Sequence, residues 1–345
     1  MKEDILVSVV VPFYNTPMKY FEKCIESILD QDYKNIEVVV INDGSTKDAT
    51  EKLNEFCKRD KRIQVYTQEN QGEGAARNSG ISQSSGKYII FVDSDDQLSQ
   101  GWINYSLQLA IQNDADIVAG RVVQISSTDQ PAIDKVCNEY AVIEKRDYWK
   151  IQRDFLYFKT DIVKNMPVLD PGVCSKLIKR DCISYLRFPI GIKLSSDQVF
   201  NHEMLHQSKV FVLTNRVSYF YIANDQSISH VYQPLAAEYM MKSMDLVKKH
   251  LVNRNEVLQA FYYRVLAEIL EAIQYALFSE RNKLSIKEKV DGINQDCNMP
   301  LVREMLDNLD ISTLPSNSWK FKYKLLKNRK YKLFVILKEL SDRKG

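Results

Sequence analysis

At 345 residues the chain is long enough for one large domain or two of ordinary size. Its 45% apolar and 27% charged residues are typical of a globular protein, and without a run of about 18 apolar residues no membrane-spanning helix is predicted. A formal net charge of only +2 gives no indication of a nucleic-acid partner.

Strands and helices alternate along the first third of the chain. Apolar runs predict four strands, and amphipathic stretches between them predict three helices. The strands are Leu6–Val11, Ile36–Ile41, Ile63–Thr67 and Tyr88–Val92, and the helices cover about 20–29, 48–58 and 74–82. This order predicts an α/β, Rossmann-like domain in which helices cover both faces of a mainly parallel sheet.

The rest of the chain predicts further strands and then only helices. One helix should begin at Trp102 and another near Ser195, and the polar segment Ser126–Asn138 should be an exposed loop. The other predicted elements are strands at Ile117–Val123, Val210–Leu213 and Tyr219–Ile222, and helices at Ala236–Val252 and Glu256–Phe278. The change to helical periodicity predicts a domain boundary near residue 233.

Polar residues follow the carboxyl ends of the four predicted parallel strands. In sheets of this kind, ligands bind outside those ends. We therefore expect a binding site where these residues converge, namely Asn15, Asn42-Asp43-Gly44-Ser45, Asn70 and Asp93-Ser94-Asp95.

Three carboxylates lie close together after the fourth strand, in Asp93-Ser94-Asp95-Asp96. They repel one another, and folding alone gives no reason to gather them. A divalent cation would remove that cost, with the diphosphate oxygens of a sugar nucleotide as further ligands. The alternative is an acidic loop that caps the next helix through Ser94, Asp95 or Ser99.

Two glycine-containing loops carry further candidate residues. Asp43 can accept the N3–H of a uracil or thymine ring, although Asn-Asp-Gly also forms turns readily. Gln71-Gly72-Glu73-Gly74 follows the third strand and lacks the third glycine of a dinucleotide-binding fingerprint. A tight turn that starts a helix, with Arg77 directed toward the nucleotide, is the better explanation.

The segment His202-Glu203-Met204-Leu205-His206 matches the HExxH pattern of zinc hydrolases. On a helix the two histidines would share a face and could bind a metal. The pattern is short, however, and no third ligand follows at the spacing that metzincins use. A zinc hydrolase is therefore the least favoured alternative.

The C-terminal segment is basic. Trp319–Gly345 holds ten Lys or Arg residues and two acids, a charge of +8, so the remainder of the chain carries −6. Basic residues interleaved with Phe321, Tyr323 and leucines favour an interfacial helix on anionic lipid over a solvated helix packed on its own protein.

Six scattered cysteines and an N-terminus without an apolar signal region favour a cytoplasmic protein. Together with the basic segment, they favour a peripheral position at the inner face of the cell membrane.

Taken in order, four segments resemble the inverting family 2 glycosyltransferases, which have the GT-A fold. The similarity is strongest over residues 5–125 and is greatest to bacterial members that build capsules, exopolysaccharides and wall polymers. A weaker likeness continues through Ser175–Arg180 and Arg187–Pro189 to Asp197. The four segments are Ser8–Asn15, Asn42–Asp48, Asn70–Asn78 and Asp93–Asp96.

The resemblance implies which residues bind the nucleotide. Tyr14 would stack on the base beside Pro12, and Asp43 and Arg77 would contact the polar edge of the base. Asp93 would bind the ribose. The complete set that the resemblance implies is Pro12, Tyr14, Asp43, Asn70, Arg77 and Asp93.

The resemblance also implies a metal and a catalytic base. Asp95 would coordinate Mn²⁺ or Mg²⁺ on the diphosphate. His230 falls where related enzymes have a flexible loop that closes over the donor. It could be a metal ligand, a diphosphate contact or a surface residue. Asp197 matches the acid that deprotonates the acceptor hydroxyl. Family members usually carry Glu-Asp there, whereas this chain has Ser196-Asp197.

The implied function is transfer of a hexose or N-acetylhexosamine, with inversion, from a UDP-linked donor to a saccharide or lipid-linked saccharide. The competing interpretation is a non-catalytic or regulatory sugar-nucleotide-binding protein. A nucleotidyltransferase is disfavoured because no glycine-rich basic loop follows the first strand. The expected organisation is a GT-A domain at 1–233, with its nucleotide half at about 1–125 and its acceptor half at 126–233. A helical region at 234–312 and a basic amphipathic tail at 313–345 would follow.

Overall fold

A computed structural model of the protein describes residues 5–126, 139–166, 168–192, 194–223, 234–279 and 283–342. The chain divides into two compact units, Met1–Asn224 and Asp225–Gly345. Apart from Ser126 itself, the loop predicted at Ser126–Asn138 lies outside the described residues, and so do His230 and residue 233. The domain boundary near residue 233 stays a prediction.

Alternating strands and helices begin the first unit, close to the positions that the sequence predicts. Strand β1 pairs in parallel with β2 and β4, and β2 pairs in parallel with β3. Every residue of β1 and β2 is buried, which explains why most of their residues are apolar and do not alternate with polar ones. The elements are β1 (Val7–Phe13), α1 (Met18–Leu29), β2 (Ile36–Asp43), α2 (Lys47–Cys57), β3 (Ile63–Gln68), α3 (Glu73–Gln83) and β4 (Tyr88–Phe91).

The second half of this unit extends the same sheet with strands of mixed direction. The elements are β5 (Gln97–Leu98), α4 (Trp102–Gln112), β6 (Ile117–Ser126), β7 (Tyr140–Glu144), α5 (Tyr148–Tyr157), β8 (Lys176–Lys179), α6 (Arg180–Ile183), α7 (Ser196–Gln207) and β9 (Val210–Ala223). The strand order is β3-β2-β1-β4-β8-β6-β9-β5, and β7 pairs with β9. Strand β8 runs antiparallel to both β4 and β6, so it joins the parallel half to the mixed half.

One prediction in this region was wrong. The sequence predicts separate strands at Val210–Leu213 and Tyr219–Ile222, whereas the structure has the single 14-residue strand β9. The polar residues between them stay in the sheet because remote carbonyls accept their hydrogen bonds. Thr214 Oγ1 donates to the Glu139 carbonyl oxygen (3.0 Å), and Asn215 Nδ2 donates to that of Lys164 (2.9 Å).

The described residues of the second unit form helices joined by short loops, with no strand among them, as predicted. Its helices are α8 (Ala236–Lys248), α9 (Asn255–Leu277), α10 (Ile286–Cys297), α11 (Pro300–Asn308), α12 (Asn317–Lys327) and α13 (Tyr331–Asp342). Side-chain caps explain two of the starts: Ser285 and Glu288 form a capping box on α10, and Ser316 Oγ accepts from the Trp319 backbone N–H on α12 (3.4 Å). Within the described ranges, the helices are too short or too polar to cross a membrane.

Candidate active site

The loops after β1, β2 and β4 meet at one edge of the sheet. The Asn15 backbone N–H donates to Ser45 Oγ (3.0 Å), and the Thr46 N–H donates to Asn15 Oδ1 (2.8 Å). Thr16 Oγ1 and Ser94 Oγ share a hydrogen bond of 2.6 Å. The polar residues predicted to converge are therefore tied together directly, because parallel strands end at the same edge.

Asp43, at the end of β2, organises the loop that follows β3. Its side chain is 2% exposed and accepts hydrogen bonds from Gln68 Nε2 (2.8 Å) and from the backbone N–H groups of Gln71 (3.0 Å) and Gly72 (2.8 Å). Asn70 Nδ2 donates to the Asp43 carbonyl oxygen (2.9 Å). An ionised carboxylate can accept about four hydrogen bonds, so one place is left for a donor on a ligand.

The turn at Gly44 brings these two loops into contact. Gly44 has φ +71°, and a Cβ added there would lie 2.7 Å from the Asn70 backbone nitrogen. The turn that the sequence suggested as an alternative at this position is therefore present, and it holds Asn70 beside the end of β2. At the end of β1, Pro12 is buried and the Tyr14 side chain is 56% exposed. An exposed aromatic ring at this edge is available for stacking.

Arg77 is the centre of the site. It lies on α3, is 2% exposed, and its guanidinium bonds three carboxylates: Nη1 donates to Asp197 Oδ1 (2.7 Å), and Nη2 to Asp93 Oδ1 (2.8 Å) and Glu73 Oε1 (2.6 Å). The Phe188 ring centroid lies 5.4 Å from its Cζ. One cation among three carboxylates leaves an excess of negative charge in this part of the cleft.

The acids after β4 have different surroundings. Asp96 is 2% exposed and accepts hydrogen bonds from the Tyr219 hydroxyl (2.7 Å) and the Ile222 N–H (2.7 Å), so it fastens this loop to β9. Burial, reinforced by Asp93 and Asp95, raises the pKa of Asp96 to about 8. Asp95 itself is half-buried.

The alternative role of this acidic loop, as a helix cap, does not fit the structure. Helix α4 begins at Trp102, its N-cap residue is Gly101, and no side chain caps it. Ser94 instead shares its hydroxyl hydrogen bond with Thr16. The local reason for gathering these acids is therefore not helix capping.

Asp197 lies in the first turn of α7, and 25% of its side chain is exposed. Burial raises its pKa, while Arg77, Lys176 and a hydrogen bond from the Val173 N–H act in the opposite direction. A Cβ added to Gly172 would lie 3.9 Å from Asp197 Oδ2, so Gly172 lies next to this carboxylate.

The structure also brings in residues to which the sequence gave no role. Lys176 is fully buried, and its Nζ donates to the carbonyl oxygens of Asp170 (3.3 Å) and Gly172 and to Ser175 Oγ (3.3 Å). Asp170 Oδ1 accepts from the Gly172 N–H (2.6 Å), and burial raises the pKa of Asp170. Nothing in the local sequence pattern marks Asp170.

Glu73 is the other missed acid. Its spacing of four residues from Arg77 on α3 is a signal that could have identified it. Burial is the largest cause of the raised pKa of Glu73, which is about 8. Asp93 and Asp197 also raise this pKa, and Arg77 lowers it. The Glu73 side chain is nevertheless 46% exposed, so the surrounding protein excludes much of the water near the carboxyl group without covering the whole side chain.

The HExxH segment forms part of α7 but does not gather around a metal. His202 is 1% exposed and packs against Phe155, with ring centroids 6.3 Å apart, whereas His206 is exposed. In the described ranges, no three His, Cys, Asp or Glu side chains are arranged to hold a metal ion. His230 lies outside these ranges, so its role as a metal ligand stays a prediction.

Comparison with known proteins identifies one family. The model of the glycosyl transferase family 2 matches residues 8–183. Glycosyltransferase GlyA of Streptococcus pneumoniae is 33% identical over 232 residues, 67% of this chain but only 32% of GlyA. GlyG of the same organism is 32% identical over 65% of this chain and 72% of its own length. The uncharacterized glycosyltransferase EpsJ of Bacillus subtilis is 29% identical over 69% of this chain and 67% of its own length.

Solved structures share the fold. S. aureus TarS 1–349 in complex with UDP-GlcNAc superposes with a TM-score of 0.64 at 18% identity, over 95% of this chain and 90% of that one. The mannosyltransferase PcManGT of Pyrobaculum calidifontis, in complex with GDP-Man and Mn²⁺, gives 0.55 at 14% identity over 97% and 87%. The predicted GT-A fold with a C-terminal helical region is confirmed.

Proposed function

Because the chain belongs to glycosyl transferase family 2, we propose that it moves a hexose or N-acetylhexosamine, with inversion, from a UDP-sugar to a hydroxyl of a saccharide acceptor. One observation carries this proposal. The loops after β1, β2 and β4 are hydrogen-bonded to one another, and Arg77 joins Asp93 after β4 to Asp197 in the first turn of α7. Groups suited to a nucleotide and an acid suited to proton transfer therefore share one site. The UDP-GlcNAc complex of TarS supports the donor class.

The nucleotide would bind at the edge formed by β1 and β2. Tyr14 would stack on the base next to Pro12, because its ring is the exposed aromatic group there. Asp43 has one remaining acceptor position for the N3–H of uracil, and Asn70 lies beside it. Asp93, held by Arg77 through Oδ1, would accept from the ribose hydroxyls.

A divalent cation, Mn²⁺ or Mg²⁺, fits this site with Asp95 as its protein ligand. Mg²⁺ typically binds through one or two carboxylates and substrate phosphates, not through a cage of protein ligands. Asp95 matches that arrangement: it is a half-buried carboxylate after β4, and the described residues contain no group of three side chains that could hold a metal by themselves. A cation held there would supply stabilisation of the negative charge that develops on the leaving diphosphate. The Mn²⁺ complex of PcManGT supports this choice.

Asp197 would be the base. Its carboxylate lies in the cleft, and Arg77 bonds only one of its oxygens, Oδ1. The other oxygen of Asp197 can take the proton of the acceptor hydroxyl while the hydroxyl oxygen attacks the anomeric carbon and the nucleoside diphosphate leaves. One displacement inverts the configuration, so an α-linked donor would give a β-linked product.

A panel of nucleotide sugars tests the function directly. Incubation with UDP-GlcNAc, UDP-glucose, UDP-galactose and GDP-mannose, with Mn²⁺ and without acceptor, should release nucleoside diphosphate from one of the UDP-sugars by slow hydrolysis. Addition of saccharide acceptors should accelerate that release. Tight binding of a UDP-sugar without turnover, with or without acceptors, would instead support the non-catalytic sugar-nucleotide-binding alternative.

We further propose that the C-terminal helices hold the protein on anionic lipid at the inner face of the cell membrane, near a lipid-linked acceptor. Part of the tail packs within its own unit, since Leu326 and Val335 are fully buried. Helix α13 nevertheless exposes a leucine face, at a spacing of four and three residues. This leucine face consists of Leu333 (45% exposed), Leu337 (38%) and Leu340 (50%).

Charge favours lipid as the partner of this surface. Phe321 on α12 is 49% exposed, and exposed basic residues surround the segment that joins α12 to α13. Each basic residue near an anionic membrane contributes about 1 kcal/mol. Exposed apolar and basic groups on adjacent helices have the composition of an interfacial anchor. The exposed basic residues are Lys322, Lys324, Lys327, Arg329, Lys330 and Lys332.

Replacing all three leucines of the leucine face by Ser should weaken binding to phosphatidylglycerol vesicles by about 10². Full burial of a leucine contributes about 1.5–3 kcal/mol, and these side chains are about half exposed, so each should contribute about 1 kcal/mol. Vesicle flotation measures the change, and donor hydrolysis should be unaffected. This substitution is cleaner than truncation after residue 316, which would remove the buried Leu326 and Val335.

The matched control is Ile111→Ser on α4, where the side chain is 47% exposed in the first unit. Flotation of this control should equal that of the unaltered protein. Equal flotation of the triple variant would remove the leucine face as a membrane anchor. Binding to neutral phosphatidylcholine that does not depend on salt would remove the preference for anionic lipid.

A further inference from the structure

The contacts of Arg77 leave little capacity for a ligand. The side chain is 2% exposed, both terminal nitrogens bond carboxylates at 2.6–2.8 Å, and Phe188 lies against the guanidinium. In the described part of the chain, its Nε has no hydrogen-bond acceptor. A nucleobase oxygen is a neutral acceptor, and exchanging a charged carboxylate for it would give up the stronger, charge-assisted bond.

The two carboxylates that Arg77 joins belong to different halves of the proposed reaction. Asp93 follows β4, where the donor would bind, and Asp197 begins α7, 120 residues from Arg77, where the acceptor would be deprotonated. One planar guanidinium fixes both, with a separate nitrogen for each. Any displacement of Asp93 is therefore transmitted to Asp197 through a single rigid group.

We propose that Arg77 is a positioning residue for the base: it holds the Asp197 carboxylate in its proton-accepting orientation and couples it to the donor side through Asp93. This inference rests on the proposed function and assigns Arg77 a role other than contact with the nucleobase. Arg77 touches neither the reacting atoms nor the base of the nucleotide. It acts through Asp197.

Charges around Asp197 give the proposal a signature in pH dependence. Groups that face it from the packed elements are Arg77 and Glu73 of α3, Asp93 after β4, and Asp170, Cys174 and Lys176 of the segment that ends in β8. Only Arg77 and Lys176 are cations, and only Arg77 is in direct contact with Asp197. Removing its charge must make Asp197 easier to protonate.

The first test compares Arg77→Gln with Arg77→Lys in the pH profile of kcat. In Arg77→Gln the acidic limb should move to higher pH, and kcat at neutral pH should fall by about 10², as expected when a catalytic group is misplaced. Arg77→Lys keeps the positive charge but lacks the forked guanidinium. The acidic limb of its pH profile should therefore move less than in Arg77→Gln, and its kcat should be higher than that of Arg77→Gln. The KM for the UDP-sugar should change little in either variant.

A double-mutant cycle isolates the route of action. If Arg77 acts through Asp197, Arg77→Gln should lower turnover in the unaltered protein but should have almost no further effect in Asp197→Asn. The matched control is Arg62→Gln, because Arg62 bonds Asp60 through Nε (3.1 Å) and Nη2 (2.8 Å) before β3. This control removes an Arg–Asp pair that is remote from Asp197 in the structure's contacts and partly exposed, and it should leave the acidic limb in place.

Three results would overturn the inference. Weaker UDP binding in Arg77→Gln, with an unmoved acidic limb, would make Arg77 a nucleotide contact. Additive losses in the cycle would show that Arg77 does not act through Asp197. If Arg77→Gln does not fold, Arg77→Lys carries the test, and a loss of kcat in Arg77→Lys that is equally large in the Asp197→Asn background would reject the coupling. Absence of turnover in the unaltered protein would reject the proposed function as well.

Discussion

Asp197→Asn is expected to lower sugar transfer by about 10² or more, in the range of 10²–10⁴ that a general base contributes. Asn has nearly the same shape, and its amide oxygen can still accept from Arg77 Nη1, but it cannot take a proton. Affinity for UDP, measured by calorimetry, should stay close to that of the unaltered protein. When turnover is measured with donor and acceptor, almost all of the lost activity should come from a lower kcat, with little change in KM.

The pH dependence gives this prediction a sign. The base must be ionised to work, and burial raises the pKa of Asp197 above its usual value of 3.8 despite the opposing Arg77. Activity should therefore be present above that raised pKa and should disappear as the pH falls through it. The loss should begin at a higher pH than an ordinary aspartate would give.

Comparable turnover in Asp197→Asn would assign the base elsewhere. Asp96 is then a poor candidate, because it is 2% exposed and accepts from Tyr219 and Ile222. Asp170 is a better one, since it lies across Gly172 from Asp197, with a Cβ position at Gly172 only 2.7 Å from Asp170 Oδ1. Asp170→Asn would then be the variant with the large loss.

The parallel half of the sheet could be predicted because its signals are local. Strands β1 and β2 are buried along their whole length, so most of their residues are apolar and do not alternate with polar ones, and the polar residues at and after their ends mark the edge. The course of β9 could not be predicted. Thr214 and Asn215 interrupt its apolar pattern, and they remain buried only because Glu139 and Lys164, far away in sequence, supply acceptors.

In the candidate site too, the features with a local sequence signal could be predicted and the contacts between distant segments could not. The resemblance to a family predicted separate roles for Arg77, Asp93 and Asp197. The sequence has no signal that both aspartates bond the Arg77 guanidinium, because this contact depends on how α3, β4 and α7 pack. Asp170 was missed for a similar reason, because its place beside Asp197 comes from a loop that the buried Lys176 fastens through backbone carbonyls.

Asp95→Asn and removal of divalent cations should each reduce sugar transfer by about 10³ or more, because a cation on the leaving diphosphate supplies several kcal/mol of charge stabilisation. The physical reason is the excess negative charge near the end of β4. Asp93, Glu73 and Asp197 share the single cation Arg77, and a diphosphate brought to this edge without Mn²⁺ or Mg²⁺ would be repelled.

The experiment measures transfer in EDTA, after restoration of Mn²⁺, and in Asp95→Asn at saturating Mn²⁺. Calorimetry of UDP with and without Mn²⁺ adds a readout that does not depend on turnover, and the cation should tighten UDP binding in the unaltered protein but much less in Asp95→Asn. Asp48→Asn is the matched control, because that acid is an exposed partner of Lys52 on α2 (2.7 Å) and should leave both measurements unchanged. Full activity in EDTA would remove the cation from the mechanism.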